Sequence, residues 1–342
     1  MTAWSPQSHV PLSQHTTLKV GGVASYFASV HTLEELQAAV AWARTRKQSV
    51  TVLGAGSNVL VSDEGIDGLV LQIALRGRTY AEPVAGTVRA TFAAGEQLDS
   101  VIAETVERCL WGLENLSHIP GTIGATPIQN VGAYGVEVSD LIDTIDVFDT
   151  QTGTIEQWSA QQCAFGYRDS RFKHEPRGRY IVTAVTFRLS VEPRPVLMYG
   201  DLRTLASDTE LPAQADIRAT VCRIRSTKFP DWHTVGTAGS FFKNPIVSTH
   251  EAERLRREFP GIPLYEVDDR RVKVALGWVL DQVCGLRGHY RGSVGCYEGQ
   301  ALVLVHQGGV CASDVIAFAE YVTTLVYERT GLEIEWEVTR LS

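Results

Sequence analysis

The sequence predicts an α+β protein of more than one domain, on three observations. Helical and strand patterns follow one another along the chain, its 342 residues exceed what one core organises, and its 44% apolar and 20% charged residues are the balance of a globular protein. A single hydrophobic core stops growing at roughly 250–300 residues, so two or three packed units are expected.

Residues 32–47 read as a helix opened by a capping box, with Thr32 as N-cap, Glu35 three residues on, and Leu33, Leu36 and Val40 along one stripe. SVTVLGAGSNVLV gives an apolar strand running into a glycine turn, followed by the strands GLVLQIAL and TVRATFAAG. The stripe Leu98, Val101, Ile102, Thr105, Val106 and Cys109 predicts a second helix. After a loop run from Gly112 to Gly135, a hairpin is expected around DTQTG. Alternation of Ile181, Thr183, Val185, Phe187 and Leu189 marks another strand. Pro193, Pro195 and the polar SDTELPAQAD read as a boundary, so a further unit is expected from about residue 213. It would hold helices through Arg218, Val221 and Ile224, near 272–284, and over 313–330 with Ser313 as N-cap and Gly331 at the C-terminal cap. A last strand, LEIEWEV, turns Leu332, Ile334, Trp336 and Val338 one way and Glu333, Glu335 and Glu337 the other.

With 31 Lys and Arg against 39 Asp and Glu, the net charge of −8 argues against general affinity for nucleic acid or anionic membrane. No stretch approaches the roughly 18 consecutive apolar residues of a membrane span, and the first residues lack the charged start and apolar run of a signal peptide, so a cytoplasmic location is expected. Cys109, Cys163, Cys222, Cys284, Cys296 and Cys311 are scattered, with no CxxC pair and no histidine at ligand spacing. They read as buried thiols, and no metal is expected.

The most informative stretch is GLENLSHIPGTIGATPIQNVGAYG, whose five glycines let bare main-chain N–H groups approach an anion closely. A flexible surface loop would have the same composition. GAGSNVL follows a strand as a dinucleotide turn does, but lacks the third glycine and a following helix pattern; no GxxxxGK[ST] is present. Ser240 and Lys243 form an SxxK of the kind used by penicillin-recognising acyl enzymes, without the partner SDN and KTG, and a serine that merely satisfies main-chain groups fits as well. Arg218, Arg223, Arg225 and Lys228, and the cations of GYRDSRFKHEPRGRY, are candidate docking points for phosphate or carboxylate, or else a solvated face.

Taken together, GAGSNVL, GLENLSHIPGTIGATPIQNVGAYG, FGYRDSRFKHE, YGDL, AGSFFKNP and LEIEWEV, in that order over most of the chain, resemble the MurB family of UDP-N-acetylenolpyruvoylglucosamine reductases. The resemblance implies a two-part FAD-binding region of the vanillyl-alcohol-oxidase (PCMH) type, residues 1–75 and 76–212, then an α+β substrate-binding domain, 213–331, and a terminal strand, 332–342, carrying a catalytic glutamate. It implies that NADPH reduces noncovalent FAD and that flavin N5 passes hydride to the enolpyruvyl methylene carbon, giving UDP-N-acetylmuramate for peptidoglycan synthesis, cell-wall biogenesis, cell shape and division. The carbon beside the carboxylate is then protonated.

Carried over by position, Ser240 resembles the proton donor, Lys228 the lysine that stabilises its alkoxide, and Arg168 with Glu337 the pair that holds and polarises the substrate carboxylate. The pattern LExEV singles out Glu337 from its two neighbours. The flavin positions are Gly54, Ala55, Gly56, Ser57, Asn58, Val59 and Leu60; Gly95 and Glu96; Ile119, Pro120, Gly121, Thr122, Gly124, Ala125, Thr126, Gln129, Asn130, Gly132, Ala133, Tyr134 and Gly135; and Ile181. Tyr199 resembles a loop tyrosine that closes over the nucleotide, and Tyr167, Asn244, Tyr265, Lys273 and Gln300 match substrate-contacting positions. Trp336, Thr339 and Leu18 depart from the family pattern. The partners implied are the nucleotide-sugar enolpyruvyl ether and NADPH, with no nucleic acid or membrane, and a monomer is expected. A flavin oxidase of the same fold, acting on a sugar or alcohol, and a catalytically silent nucleotide-sugar binder are the competing readings. No histidine lies in GTIGATPIQNVGAYG to tether a flavin, and a binder needs no proton donor.

Overall fold

The computed structural model describes residues 4–207 and 211–342; residues 1–3, and 208–210 of the polar segment expected as a boundary, lie outside the described residues. Main-chain contacts divide the chain into two units, Met1–Val10, Ala24–Ala55 and Asp67–Arg225 in one and Pro11–Val23, Gly56–Ile66 and Ser226–Ser342 in the other.

In the first unit the helix Leu33–Thr45 opens as its sequence predicts, Thr32 Oγ1 accepting from the Glu35 N–H at 3.2 Å. Glu35 Oε2 reaches one residue further back, to the His31 N–H at 2.6 Å. Leu36, Ala39, Val40 and Ala43 form its buried stripe, whereas Leu33 is 37% exposed. A four-stranded sheet runs in the order Gln7–Pro11, Val23–Val30, Ile66–Ile73, Val50–Leu53, the last pair parallel. A five-stranded antiparallel sheet runs Thr154–Ser159, Ile142–Asp149, Tyr180–Ser190, Thr87–Ala93, Arg78–Tyr80, and DTQTG makes the turn between its first two strands. Tyr180–Ser190 sits mid-sheet and is buried on both faces along most of its length. One core, with Phe92, Phe148 and Phe187 at full burial, joins these strands to the helices Leu33–Thr45 and Leu98–Glu107.

In the second unit a sheet runs Gly236–Ser240, Val303–His306, Val294–Cys296, Tyr290–Arg291, and a second runs Ile246–Ser248, Arg271–Val274, Leu264–Asp268. The strand Thr339–Leu341 pairs in parallel with Val59–Val61, which makes the turn after GAGSN a strand rather than a Rossmann helix. Phe241, Phe242, Leu280 and Val322 centre its core. Asp63 caps the long helix Ala312–Thr330, accepting from the N–H groups of Ala312 at 2.6 Å and Ser313 at 2.9 Å.

Five expectations are corrected. The helix expected near 272–284 begins only at Leu276, because residues 271–274 are drawn into strand pairing with Ile246–Ser248 and Leu264–Asp268. Cys311, not Ser313, is the N-cap of the long helix, in a capping box with Asp314. Gly331 does close that helix in the left-handed conformation, φ 73°. LEIEWEV alternates in burial only as far as Glu335, Trp336 and Glu337 both being half-buried, and it forms no ladder, since it meets its neighbour at a single bridge, Phe242 with Trp336. Of the cysteines, Cys109 and Cys311 are exposed. Nor are the 217–230 cations one solvated face: Arg225 is buried, and Arg218 grips Asp99 through two bonds of 2.6 and 3.0 Å.

Asp99 also accepts from the His118 N–H at 2.6 Å, so this ion pair fastens helix Gln214–Lys228 to the start of the glycine-rich run. Burial raises the Asp99 carboxyl, but the Arg218 guanidinium and the His118 N–H outweigh it and hold the group below its ordinary value of 3.8. A depressed carboxyl stabilises the fold above its unfolded pKa and loses that contribution as pH falls through the native value. Arg218→Ala is therefore expected to lower the melting temperature at pH 7, with the gap to the parent closing below about pH 4. Thermal melts across that range check this, and an equal gap at pH 3 would contradict it.

Candidate active site

In the first unit the glycine run is laid against the sheet main chain with nothing between. A Cβ on Gly124 would stand 2.5 Å from that of Ala94, and one on Gly95 2.4 Å from the Ala74 carbonyl carbon. Main-chain bonds fix the same contacts, Gly124 N to Ala94 O at 2.9 Å, Ile123 N to Glu96 O at 2.9 Å and Gly95 N to Leu75 O at 3.0 Å. Gly54, at the end of Val50–Leu53, meets Thr122, whose Oγ1 lies 2.7 Å from where a Cβ would be. Glu96 is spent on structure, its buried carboxylate accepting from the Gly77 N–H at 3.0 Å and from Arg78 at 2.6 and 2.8 Å. Ile181 lies wholly inside the core, as does Leu60 in the second unit. Partial exposure along the run falls on Ile119, Pro120, Gly124, Ala125, Gln129, Gly132, Ala133 and Tyr134. Small residues whose main chain any added carbon would obstruct fit a group that binds by its phosphates and a flat ring.

The same unit positions Arg168. Gly166 and Asp169 close a tight turn by reciprocal main-chain bonds of 3.0 and 3.2 Å, and Arg168 takes the left-handed φ of 53° within it. A non-glycine residue there is strained by about 1–2 kcal/mol, the kind of outlier that a surrounding site must hold in place. Arg168 donates to the carbonyls of Gly132 at 2.7 Å and Asn130 at 3.3 Å, and its guanidinium lies 5.4 Å from the Tyr167 ring centre. Asn115, fully buried, donates to the carbonyls of Tyr134 and Val196, tying the run to the segment that carries Tyr199. Tyr134 and Tyr199 meet edge to face at 5.9 Å, and Tyr199 remains 44% exposed. The buried Arg225 donates to the His118 carbonyl at 3.1 Å.

In the second unit Ser240 follows a bulge. The register against Val303–His306 shifts between Thr237 and Ser240, with Gly239 at φ 73°, and such bulges re-aim a side chain. Thr17 braces the strand, donating to the Thr237 carbonyl at 2.7 Å. The chain end then pairs alongside: Lys243 N donates to Glu335 O at 2.9 Å and Glu337 N to Phe241 O at 2.8 Å. Glu337 is so placed beside the residue following Ser240. Asn58 secures it from the other side, donating to the Glu337 carbonyl at 3.2 Å and accepting from the Thr339 N–H at 3.1 Å. Lys243 is ion-paired at 2.8 Å with the exposed Glu335, which removes it from the acyl-enzyme role that SxxK suggested.

Asn244 Oδ1 accepts from the Leu276 N–H at 3.0 Å, capping the turn after Arg271–Val274. Lys273 on that strand lies opposite both Ile246 and Tyr265. Gly299 packs against the Thr227 carbonyl, a Cβ there falling 2.4 Å away, so the turn bearing Gln300 abuts the helix end bearing Lys228. Among the described residues no cluster of His, Cys, Asp or Glu could hold a metal.

Sequence reasoning did not find the bracing roles of Asn58 and Asn130 or the latch Lys243–Glu335. A buried asparagine with a left-handed backbone at Asn130, φ 47°, leaves no periodic trace, and the Lys243–Glu335 pair spans 92 residues.

An FAD-binding domain model matches residues 24–159, and the model of the UDP-N-acetylenolpyruvoylglucosamine reductase C-terminal domain matches residues 231–341. The chain is similar to UDP-N-acetylenolpyruvoylglucosamine reductases of Ralstonia nicotianae, 43% identical over 96% of this chain and 97% of that one, and of Pseudomonas aeruginosa, 41% identical over 97% of each. The crystal structure of the enzyme from Thermus caldophilus superposes with a TM-score of 0.67 at 27% identity, covering 98% of each chain. In the described residues no helix is long and apolar enough to cross a membrane.

Because Gly124 faces the Ala94 Cβ, which is fixed to the main chain, rather than the far end of a flexible side chain, Gly124→Ala is expected to cost about 1–3 kcal/mol by overpacking and to lower flavin content in parallel. Denaturant unfolding and the visible absorbance of the purified variant measure both, and a fully flavinated variant of parental stability would refute it.

Proposed function

The chain belongs to the UDP-N-acetylenolpyruvoylglucosamine reductase family, and from that premise we infer how its own residues divide the reduction of this nucleotide's enolpyruvyl ether to UDP-N-acetylmuramate. It is an FAD-dependent oxidoreductase of peptidoglycan precursor synthesis, with an FAD-binding region of the vanillyl-alcohol-oxidase type and a substrate-binding C-terminal domain. FAD held there would, once reduced by NADPH, supply the hydride that the enolpyruvyl double bond requires.

The glycine loops of 54–60, 95–96 and 119–135 hold the cofactor without a covalent tether. Arg168 pairs with the substrate carboxylate, and Glu337 donates to it through a carboxyl O–H, so that both stabilise the charge that develops on it as the neighbouring carbon takes enolate character. Ser240 Oγ gives its proton to that carbon. A hydroxyl is a weak acid, so the charge left on the oxygen needs a cation, and Lys228 is assigned to supply it. Tyr167, Tyr199, Asn244, Tyr265, Lys273 and Gln300 are assigned to the nucleotide and sugar. The working division is 1–75 and 76–212 for the flavin, 213–331 for the substrate and 332–342 for the terminal glutamate. The protein is proposed to act as a cytoplasmic monomer, where its UDP-sugar and NADPH are made.

The single observation that carries this reading is the pairing of Glu335–Glu337 with Phe241–Lys243, which puts one glutamate beside the serine strand and ties its neighbour to Lys243. Stopped-flow mixing with NADPH and then with the enolpyruvyl nucleotide tests it. Ser240→Ala should still bleach with NADPH but regain colour with substrate about 10²–10⁴-fold more slowly. Equal loss of both steps would mark Ser240 as structural. Glu337→Gln should slow recovery similarly while Glu335→Gln stays within a few-fold of the parent, and the reverse ranking would displace Glu337.

A further inference from the structure

We propose that Asn130 is a positioning residue for Arg168, so that a side chain of the glycine run sets the geometry of the group that polarises the substrate carboxylate. The inference rests on the role just given to Arg168. Asn130 is 1% exposed and left-handed at φ 47°, and its amide is fully used. Nδ2 donates to Glu137 Oε2 at 2.8 Å and to the Gly166 carbonyl at 3.0 Å, while Oδ1 accepts from the Ser139 N–H at 3.1 Å.

Gly166 opens the tight turn that Arg168 occupies, so one amide hydrogen anchors the base of that turn. The main chain of the same asparagine anchors its tip, because the Asn130 carbonyl accepts from the Arg168 guanidinium, as does that of Gly132 two residues on. Gly132 leaves the room, a Cβ there falling 3.2 Å from Arg168 Nη1. A strained left-handed arginine whose turn is anchored by the Asn130 amide, and whose head group meets the Asn130 and Gly132 carbonyls, is positioned in part through that one buried residue. A shift of about 1 Å in such a group costs on the order of 100-fold in rate, which makes this scaffold a determinant of the reaction.

The test is a cycle of Asn130→Gly, Arg168→Ala and the double variant, since glycine keeps the left-handed backbone and removes only the amide. Reoxidation of reduced enzyme by substrate should fall on the order of 10- to 100-fold in Asn130→Gly, and by less than about 2-fold when the same change is made in Arg168→Ala. Calorimetry supplies the second readout. Asn130→Gly should bind UDP-N-acetylmuramate about 10-fold more weakly yet bind UDP-N-acetylglucosamine, which lacks the carboxylate, as the parent does. Losses that multiply in the double variant, or equal weakening of both nucleotides, would overturn the proposal and make Asn130 a general support of the fold. If Arg168→Ala alone reoxidises at the parental rate, the role of Arg168 itself fails instead. Should Asn130→Gly not retain flavin, Glu137→Ala, which frees the amide from the carboxylate that orients it toward the Gly166 carbonyl, goes through the same cycle, and the same two outcomes decide.

Discussion

At Gly95 and Gly124 one stretch of main chain lies on another with no side chain between, and the geometry of the glycine run follows from that contact. The hydrogen bonds from Gly124 to Ala94 and from Ile123 to Glu96 form only at this separation. Once residues 121–126 are seated on the sheet, the hairpin Gly132–Glu137 and the turn at Arg168 have a fixed base. A dinucleotide cofactor is large, flat and anionic, so such a site needs rigid main chain more than it needs cations. That is compatible with a glycine run that contains no lysine or arginine in a protein of net charge −8.

In the second unit the chain end is set against the continuation of the strand that carries Ser240, with Glu337 paired there and Glu333 and Glu335 nearby in sequence. Main-chain pairing with Phe241–Lys243 and with Val59–Val61 holds it, while Lys243 keeps Glu335 in the ion pair. Exposed ion pairs add little stability, about 0–1 kcal/mol, so the value of this one lies in register. The bulge before Ser240 belongs to the same strand, where the register against Val303–His306 shifts between Thr237 and Ser240.

Arg168 and Glu337 are thus each braced by an asparagine, Asn130 through the Gly166 carbonyl at the base of the Arg168 turn and Asn58 through the Glu337 carbonyl. An asparagine suits this work because its amide offers two donors and an acceptor on a short stem, and it tolerates a left-handed backbone. Neither residue need touch the reacting atoms to influence them.

The elements with strong local signals were legible from sequence: the capped helix from Leu33, the strand from Tyr180, the turn at DTQTG and the Gly331 cap all depend on residues within a few positions of one another. So were the motifs, because their order along the chain carries a family resemblance that no single segment does. The failures came where distant partners competed with local preference. Residues 271–274 join a sheet instead of the helix their spacing suggested, and LEIEWEV forms no ladder because its neighbour meets it at one bridge. By itself the sequence determined which side chains carry protons and charge, since that chemistry belongs to residue type. Only the tertiary structure decided that Glu335 is latched by Lys243, that Asn58 and Asn130 hold the segments of Glu337 and Arg168, and that the strand is bulged before Ser240, since each depends on hydrogen bonds between residues far apart in the chain.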